Sequence, residues 1–464
     1  MIPPRTFKLT LAAVLLAAST QAHADEPLFE PDRVFVRLAP GISIAAIHAT
    51  YGTTVQPGQE IPSRRMFLLD VPSGVSESGL IDQLLLDARI ERVDFNFYLE
   101  DGNPEGSTRR MYLGSTFTEF QNDATPGIIG VPTSFSQSRG AGTLIAILDT
   151  GVDSTHPLLA PSIAPGGFNF ITQSTLTLDV AQGVDTNQNG EIDQMFGHGT
   201  MIAGLALRVA PDARILPIVV LDSDGYSTIF RVAQGLYHAL DNGATVANLS
   251  MGMEANPQLL REVIADVENQ GLAVVASAGN RSTSNPDFPA GTSPLGTLAV
   301  ASLDDAGVRA DFSNYGSWVS LSAPGVGIVS TVPGGGYGIA SGTSLSAPLV
   351  SGALAAVASI CPLVSPQELD QIVRSRTLPV NAQNPSYIGQ LGSGQLHAAR
   401  AVGAQAGELA CDCDTNNDLR ITLADLHQQV AQPEDLDASG AASNTDTRAL
   451  AAWIRRTERS ALLR

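Results

Sequence analysis

Short, nearly continuous apolar runs recur through the middle of the chain and limit what it can fold into. They are Leu144–Leu148, Ile215–Leu221, Ala244–Leu249, Leu272–Ala276 and Leu298–Ala301. A strand with one wet face alternates apolar and polar residues; these runs do not, so each is expected to be covered on both faces. Between them lie helical stretches such as Ile229–Leu240 and Leu259–Asn269,. Strands of this kind separated by helices imply an α/β fold, a doubly wound parallel sheet with helices on both sides. Ligands of such sheets bind beyond the carboxyl ends of the strands. The residues just after each run are therefore where chemistry is expected.

Asp149 directly follows the first run, in Leu148-Asp149-Thr150-Gly151. Asn280 follows the fourth, in Ala276-Ser277-Ala278-Gly279-Asn280. His198 lies in Gly197-His198-Gly199-Thr200 and leads into a small-residue helix. Ser344 lies in Gly342-Thr343-Ser344, which runs into Leu349–Ala356, a second such helix. A serine in the first turn of a helix sits among unpaired backbone N–H groups, where the helix dipole favours negative charge. It can attack a carbonyl while its own N–H binds the oxyanion. Singly, each residue is an ordinary cap, turn residue or structural histidine. Together they supply a nucleophile, a base, a carboxylate to hold the base and an amide for the oxyanion.

These segments, in the order Asp, His, Ser, resemble the subtilisin-like serine proteases. The matching pieces are Asp149-Thr150-Gly151, His198-Gly199-Thr200, Ser250-Met251-Gly252, Ala278-Gly279-Asn280 and Gly342-Thr343-Ser344. Phe312–Gly316 and Ala323-Pro324-Gly325 add to them, and the likeness covers roughly residues 125 to 400. The resemblance implies that Ser344 is the nucleophile, His198 the base and Asp149 its orienting acid. Asn280 and the Ser344 N–H would form the oxyanion hole. Ser250, Met251 and Gly252 would border the substrate, with Asp224 and Gly225 on the other side of the cleft. His156 lacks the Gly-His-Gly-Thr setting and is read as structural. Two features depart from the family: Met201 stands where many members have a second histidine, and the span from Asp149 to His198 is long. The implied activity is hydrolysis of polypeptide substrates through an acyl-enzyme. The competing reading is a catalytically inactive scaffold of the same fold used for binding.

Upstream, residues 32–98 read as a small α+β ferredoxin-like unit: strands at Arg33–Leu38, Met66–Val71 and Ile90–Phe95, with helices at Ile42–Tyr51 and Leu80–Ala88,. Beside a subtilisin-like domain it resembles an inhibitory propeptide, so the chain's own first domain is an expected partner. Polar residues 99–125 read as a linker and 126–405 as the peptidase domain,. Residues 1–24 read as a signal peptide, with Arg5 and Lys8, an apolar Leu9–Ala18 and Ala22-His23-Ala24 for cleavage,. A secreted or periplasmic protein follows, and no later segment reads as a membrane span. Oxidation in that compartment would let Cys361 pair with Cys411 or Cys413,. A formal charge of −20 argues against a nucleic-acid partner,.

The acidic excess also fits calcium as a cofactor. Residues 185–193 space oxygen ligands at Asp185, Asn187, Asn189 and Asp193, although Phe196 stands where a twelfth-position carboxylate would close the loop,. The tail, 411–458, holds two further loops in the EF-hand rhythm. The first offers Asp414, Asn416, Asp418, Arg420, Thr422 and Asp425; the second Asp435, Asp437, Ser439, Ala441, Ser443 and Asp446. Arg420 and Ala441 would contribute backbone carbonyls. Paired loops of this kind, each leading into a helix, resemble a dockerin-type calcium module, which implies a cohesin-like partner.

Overall fold

The structure, a computed structural model, describes residues 29–100, 112–186, 190–293, 296–362 and 364–403. The reading of 1–24 as a signal peptide and the two tail loops, with every ligand from Asp414 to Asp446, lie outside these residues.

The chain opens with β1 (Phe29–Leu38), α1 (Ile44–Tyr51), β2 (Glu60–Ile61), β3 (Met66–Asp70), α2 (Glu77–Leu84) and β4 (Ile90–Glu100). The strands form an antiparallel sheet in the order β2-β3-β1-β4. Ser43 and Ser76 start the two helices by accepting Ala45 N and Gly79 N,. One face of the sheet, with Val34, Val36 and Leu69, closes on α1 and α2. The other carries Phe35, Met66 and Leu68 and packs into the core of the domain that follows.

The stretch 99–125, expected as a linker, contains ordered elements. They are the end of β4, then β5 (Tyr112–Ser115) and α3 (Phe117–Asn122); at its end and beyond it come the turns α4 (Thr125–Ile128) and α5 (Val131–Ser134). Thr116 and Glu119 form a capping box at α3, a local signal that the polar composition obscured,. Phe120 then packs on Tyr337, 5.1 Å between ring centres.

The large domain contains β6 (Leu144–Asp149), β7 (Phe168–Asn169), α6 (His198–Val209), β8 (Arg214–Val219), β9 (Tyr226–Thr228) and α7 (Ile229–Asp241). Next come β10 (Val246–Leu249), α8 (Gln258–Asn269), β11 (Ala273–Ser277) and β12 (Thr297–Leu303). The hairpin region is β13 (Leu321–Pro324), β14 (Ile328–Val332) and β15 (Gly336–Ala340); α9 (Thr343–Ile360), α10 (Pro366–Ser375) and α11 (Ala398–Ala401) finish it. Seven strands make one parallel sheet in the order β13-β12-β11-β10-β6-β8-β7. Successive side chains enter opposite cores. Ile145, Ile147, Val246 and Val275 face α6 and α9, whereas Ala146, Leu148, Ala247 and Val274 face α7 and α8. That is why the strands read as unbroken apolar runs.

α9 is the central helix. By length and composition it is apolar enough to cross a membrane, with mean hydropathy 1.5, which the sequence reading did not anticipate; 89% of it is buried inside the protein. Its small residues let α6 approach closely: a Cβ at Gly352 would meet Ala206 O at 2.5 Å and Val209 Cβ at 2.7 Å. Cys361, the C-cap of α9, is disulfide-bonded.

The small domain is seated on α7, α8 and β9. β4 pairs antiparallel with β9, Tyr98 opposite Thr228 and Glu100 opposite Tyr226. Asp94 accepts Leu259 N at 2.7 Å, and Asn96 accepts Phe230 N at 3.1 Å. The first domain thus caps the N-termini of two helices in the second; α8, entered from Pro257, has no side-chain cap of its own,. Arg37 and Arg92 both reach Glu262, at 3.1 and 2.5 Å.

Candidate active site

Three adjacent strands, β6, β10 and β11, hold the site at their carboxyl ends. Neighbouring strands lie about 4.8 Å apart, so their last residues form a row.

Asp149 ends β6 and is fully buried. Its Oδ1 accepts the Thr150 N–H at 2.8 Å and stands 2.8 Å from His198 Nδ1. That contact directs Nε2 of the same imidazole away from the carboxylate. His198 opens α6 from Gly197, whose φ of 93° is left-handed,. Gly199 allows the close approach: a Cβ there would lie 3.0 Å from Asp149 Cβ.

Ser344 lies in the first turn of α9 and is 6% exposed, as is His198. The end of β10 supports it. Asn248 Nδ2 donates to Ser250 Oγ at 3.0 Å, and Ser250 Oγ donates to the Ser344 carbonyl at 2.9 Å. Ser250 is therefore turned under the helix start, with Met251 buried in the core beside it. Gly252 faces the Asp287 Cβ, 3.3 Å from where its own Cβ would stand.

Asn280 follows β11. Its side chain accepts from Thr343 N at 2.9 Å and Thr343 Oγ1 at 3.0 Å, and the N–H donor fixes the accepting atom as Oδ1,. The amide nitrogen then faces Gly342. A Cβ at Gly342 would stand 3.0 Å from Ser344 Oγ and 3.6 Å from Asn280 Nδ2. The missing side chain leaves an opening between a hydroxyl and an amide N–H. Asn314, in the expected Phe312–Gly316 segment, holds this loop: its Oδ1 accepts Arg281 N and Thr283 N at 3.0 and 3.1 Å.

The remaining residues singled out in the sequence have the following surroundings. Asp224 turns its carboxylate to the long insertion, accepting Thr186 N at 2.8 Å and Gln194 N at 3.3 Å. Gly225, with φ 91°, makes the turn into β9. His156 is buried against Tyr337, with Nε2 3.0 Å from Gly336 O. In the insertion, Asp193 accepts Gln182 N and Gly183 N at 2.9 Å each, and Asp185 accepts Gly190 N at 3.0 Å. Both carboxylates thus hold the loop's own backbone. Asn187 and Asn189 lie outside the described residues. Among the described residues no three His, Cys, Asp or Glu side chains come together as a metal group.

Sequence reasoning missed Asp179, Thr150 and Thr343. Thr150 and Thr343 were visible only as parts of motifs. Asp179 sits alone in the insertion, with no local pattern to mark it.

This chain has measurable relatives. The model of the Subtilase family matches residues 140–403. Thermitase from Thermoactinomyces vulgaris is 38% identical over 244 residues, which span 50% of this chain and 81% of thermitase. Subtilisin BL from Lederbergia lenta is 34% identical over 288 residues, spanning 60% of this chain and 97% of that protein. The crystal structure of fervidolysin from Fervidobacterium pennivorans, a keratinolytic enzyme related to subtilisin, has a similar fold. Its TM-score is 0.65 at 23% identity, over 81% of this chain and 61% of that one.

Proposed function

The chain belongs to the subtilase family and is a serine endopeptidase; from that premise we propose that Asp149, His198 and Ser344 are its catalytic triad. The observation that carries this is the 2.8 Å contact of His198 Nδ1 with buried Asp149 at the end of β6, next to β10, past whose end Ser250 supports Ser344 in the first turn of α9. Ser344 Oγ attacks the scissile carbonyl carbon and His198 Nε2 takes its proton. Asp149 holds the imidazole in that tautomer and stabilises the imidazolium. The carbonyl oxygen, now negative, enters the opening beside Gly342, where Asn280 Nδ2 and the Ser344 N–H donate to it. Collapse expels the amine with the proton from His198 and leaves an acyl-Ser344. Water, deprotonated by His198, then releases the acid.

Residues 32–98 are read as an inhibitory propeptide of ferredoxin-like fold. The supporting observations are the 2-3-1-4 strand order, the β4–β9 ladder and the caps from Asp94 and Asn96. Export, with cleavage after Ala24, and calcium binding by the 414–446 loops complete the reading. Ser250, Met251 and Gly252 are proposed to border the substrate through their backbone, since the Ser250 hydroxyl is engaged beneath α9.

The test is casein hydrolysis by the purified full-length protein and by Ser344→Ala. The expected loss in kcat is several orders of magnitude. Unchanged hydrolysis by the variant would overturn the assignment.

A further inference from the structure

Asp179 belongs to no motif, yet it is 4% exposed and its carboxylate accepts four hydrogen bonds. Its Oδ1 accepts Gly197 N at 3.0 Å and Thr150 Oγ1 at 3.2 Å. Its Oδ2 accepts Thr200 Oγ1 at 2.8 Å and Thr200 N at 3.2 Å. Gly197 and Thr200 flank His198, and Thr150 follows Asp149. Thr150 Oγ1 in turn accepts Gly199 N at 3.0 Å. One carboxylate therefore grips both chain segments that carry the Asp149–His198 contact.

The segment bearing Asp179 is fitted closely to the first of them. Val152 N donates to Thr177 O at 2.9 Å. A Cβ at Gly151 would lie 2.9 Å from the Leu178 and Asp179 backbone, so only glycine admits this approach. Gly197, the N-cap of α6, has no side chain, and Asp179 supplies the missing cap from the insertion,.

We propose that Asp179 is a positioning residue for the catalytic pair: it locks the start of α6 to the end of β6 and places a second negative charge behind His198. The proposal rests on the triad reading above. The titratable groups around Asp179 are Asp149 at the end of β6, Asp153 on the segment after it, and His198 on α6; Asp153 N donates to Thr200 Oγ1 at 3.0 Å. Burial, with a smaller contribution from Asp149, pushes the Asp179 carboxyl up to about 6; in its ionised form it adds negative charge near His198.

Asp179→Asn keeps the shape, removes the charge and turns an amide donor toward N–H groups that need an acceptor. The His198 imidazolium loses a negative neighbour, so the His198 pKa falls. The acid limb of kcat/KM should move to lower pH by about half a unit or more. With active sites counted by a fluorophosphonate, kcat should fall about 10- to 100-fold and KM by less than about twofold either way. A merely structural residue would lower the number of active sites and leave their kcat and pH limb alone, and that result overturns the proposal. Should Asp179→Asn fail to fold, Thr150→Val severs the same link with the charge in place. It should lower kcat without moving the limb, and Thr150→Ser should restore it; full activity in Thr150→Val counts against the proposal. Wild-type protein that neither reacts with the fluorophosphonate nor cleaves casein would instead refute the triad reading.

Discussion

Gly342 shows how one residue can decide the chemistry. Its φ of 166° is extended backbone that any residue adopts, so glycine is not required there for conformation. It is required for space, because a methyl group would fill the opening between Ser344 Oγ and Asn280 Nδ2. Gly342→Ala should therefore fold normally and lose kcat by about 10²-fold or more, as should Asn280→Leu, with KM little changed in either. Steady-state kinetics with a peptide anilide check both. An effect on KM alone would place the oxyanion elsewhere.

At the scale of elements, the junction of α8 with β11 carries a buried acid. Glu268, at the end of α8, is 3% exposed, and Gly296 leaves room for its carboxyl group. Burial pushes its pKa up to about 9, with Asp370 adding to the rise. The folded state thus holds the proton more tightly than the unfolded chain does. Its stabilising effect is complete below about pH 4.5 and is lost as pH rises toward 9,. Glu268→Gln keeps the uncharged shape and should escape that loss. In a Ser344→Ala background, which prevents autolysis, the Gln variant should gain more than about 1 kcal/mol over its parent at pH 9 relative to pH 5. Parallel melting temperatures at the two pH values would contradict this.

Elements also show what a sequence can and cannot reveal. β6, β10 and β11 were legible because a strand buried on both faces leaves an uninterrupted apolar run. Asp149, which ends β6, and Asn280, just past β11, were singled out because ligands of such sheets bind at those ends,. Asp179 was not, since its role lies in contacts with Gly197 and Thr150 that no local spacing encodes. Asp94 and Asn96 were hidden for the same reason: they cap helices that begin far along the chain. Asp224 falls in a turn after a strand, as expected. Only the fold shows its carboxylate holding Thr186 and Gln194 of the insertion.

For the whole molecule, the first domain covers α7 and α8 and adds a strand to β9; on the proposed propeptide reading, that edge opens fully only once the domain is cut away. The full-length chain should shorten itself to a form beginning within residues 99–125, and Ser344→Ala should remain intact. N-terminal sequencing of both after incubation checks this. Normal trimming of pure Ser344→Ala would mean that another protease removes the domain.

The account as a whole depends on Ser344 being the activated nucleophile. Treating the native protein with a fluorophosphonate and mapping the added mass by peptide mass spectrometry tests that directly. The account predicts one adduct, on Ser344, formed by native protein and not after denaturation. A preparation that cleaves casein yet carries the adduct on another serine, or none, would contradict it.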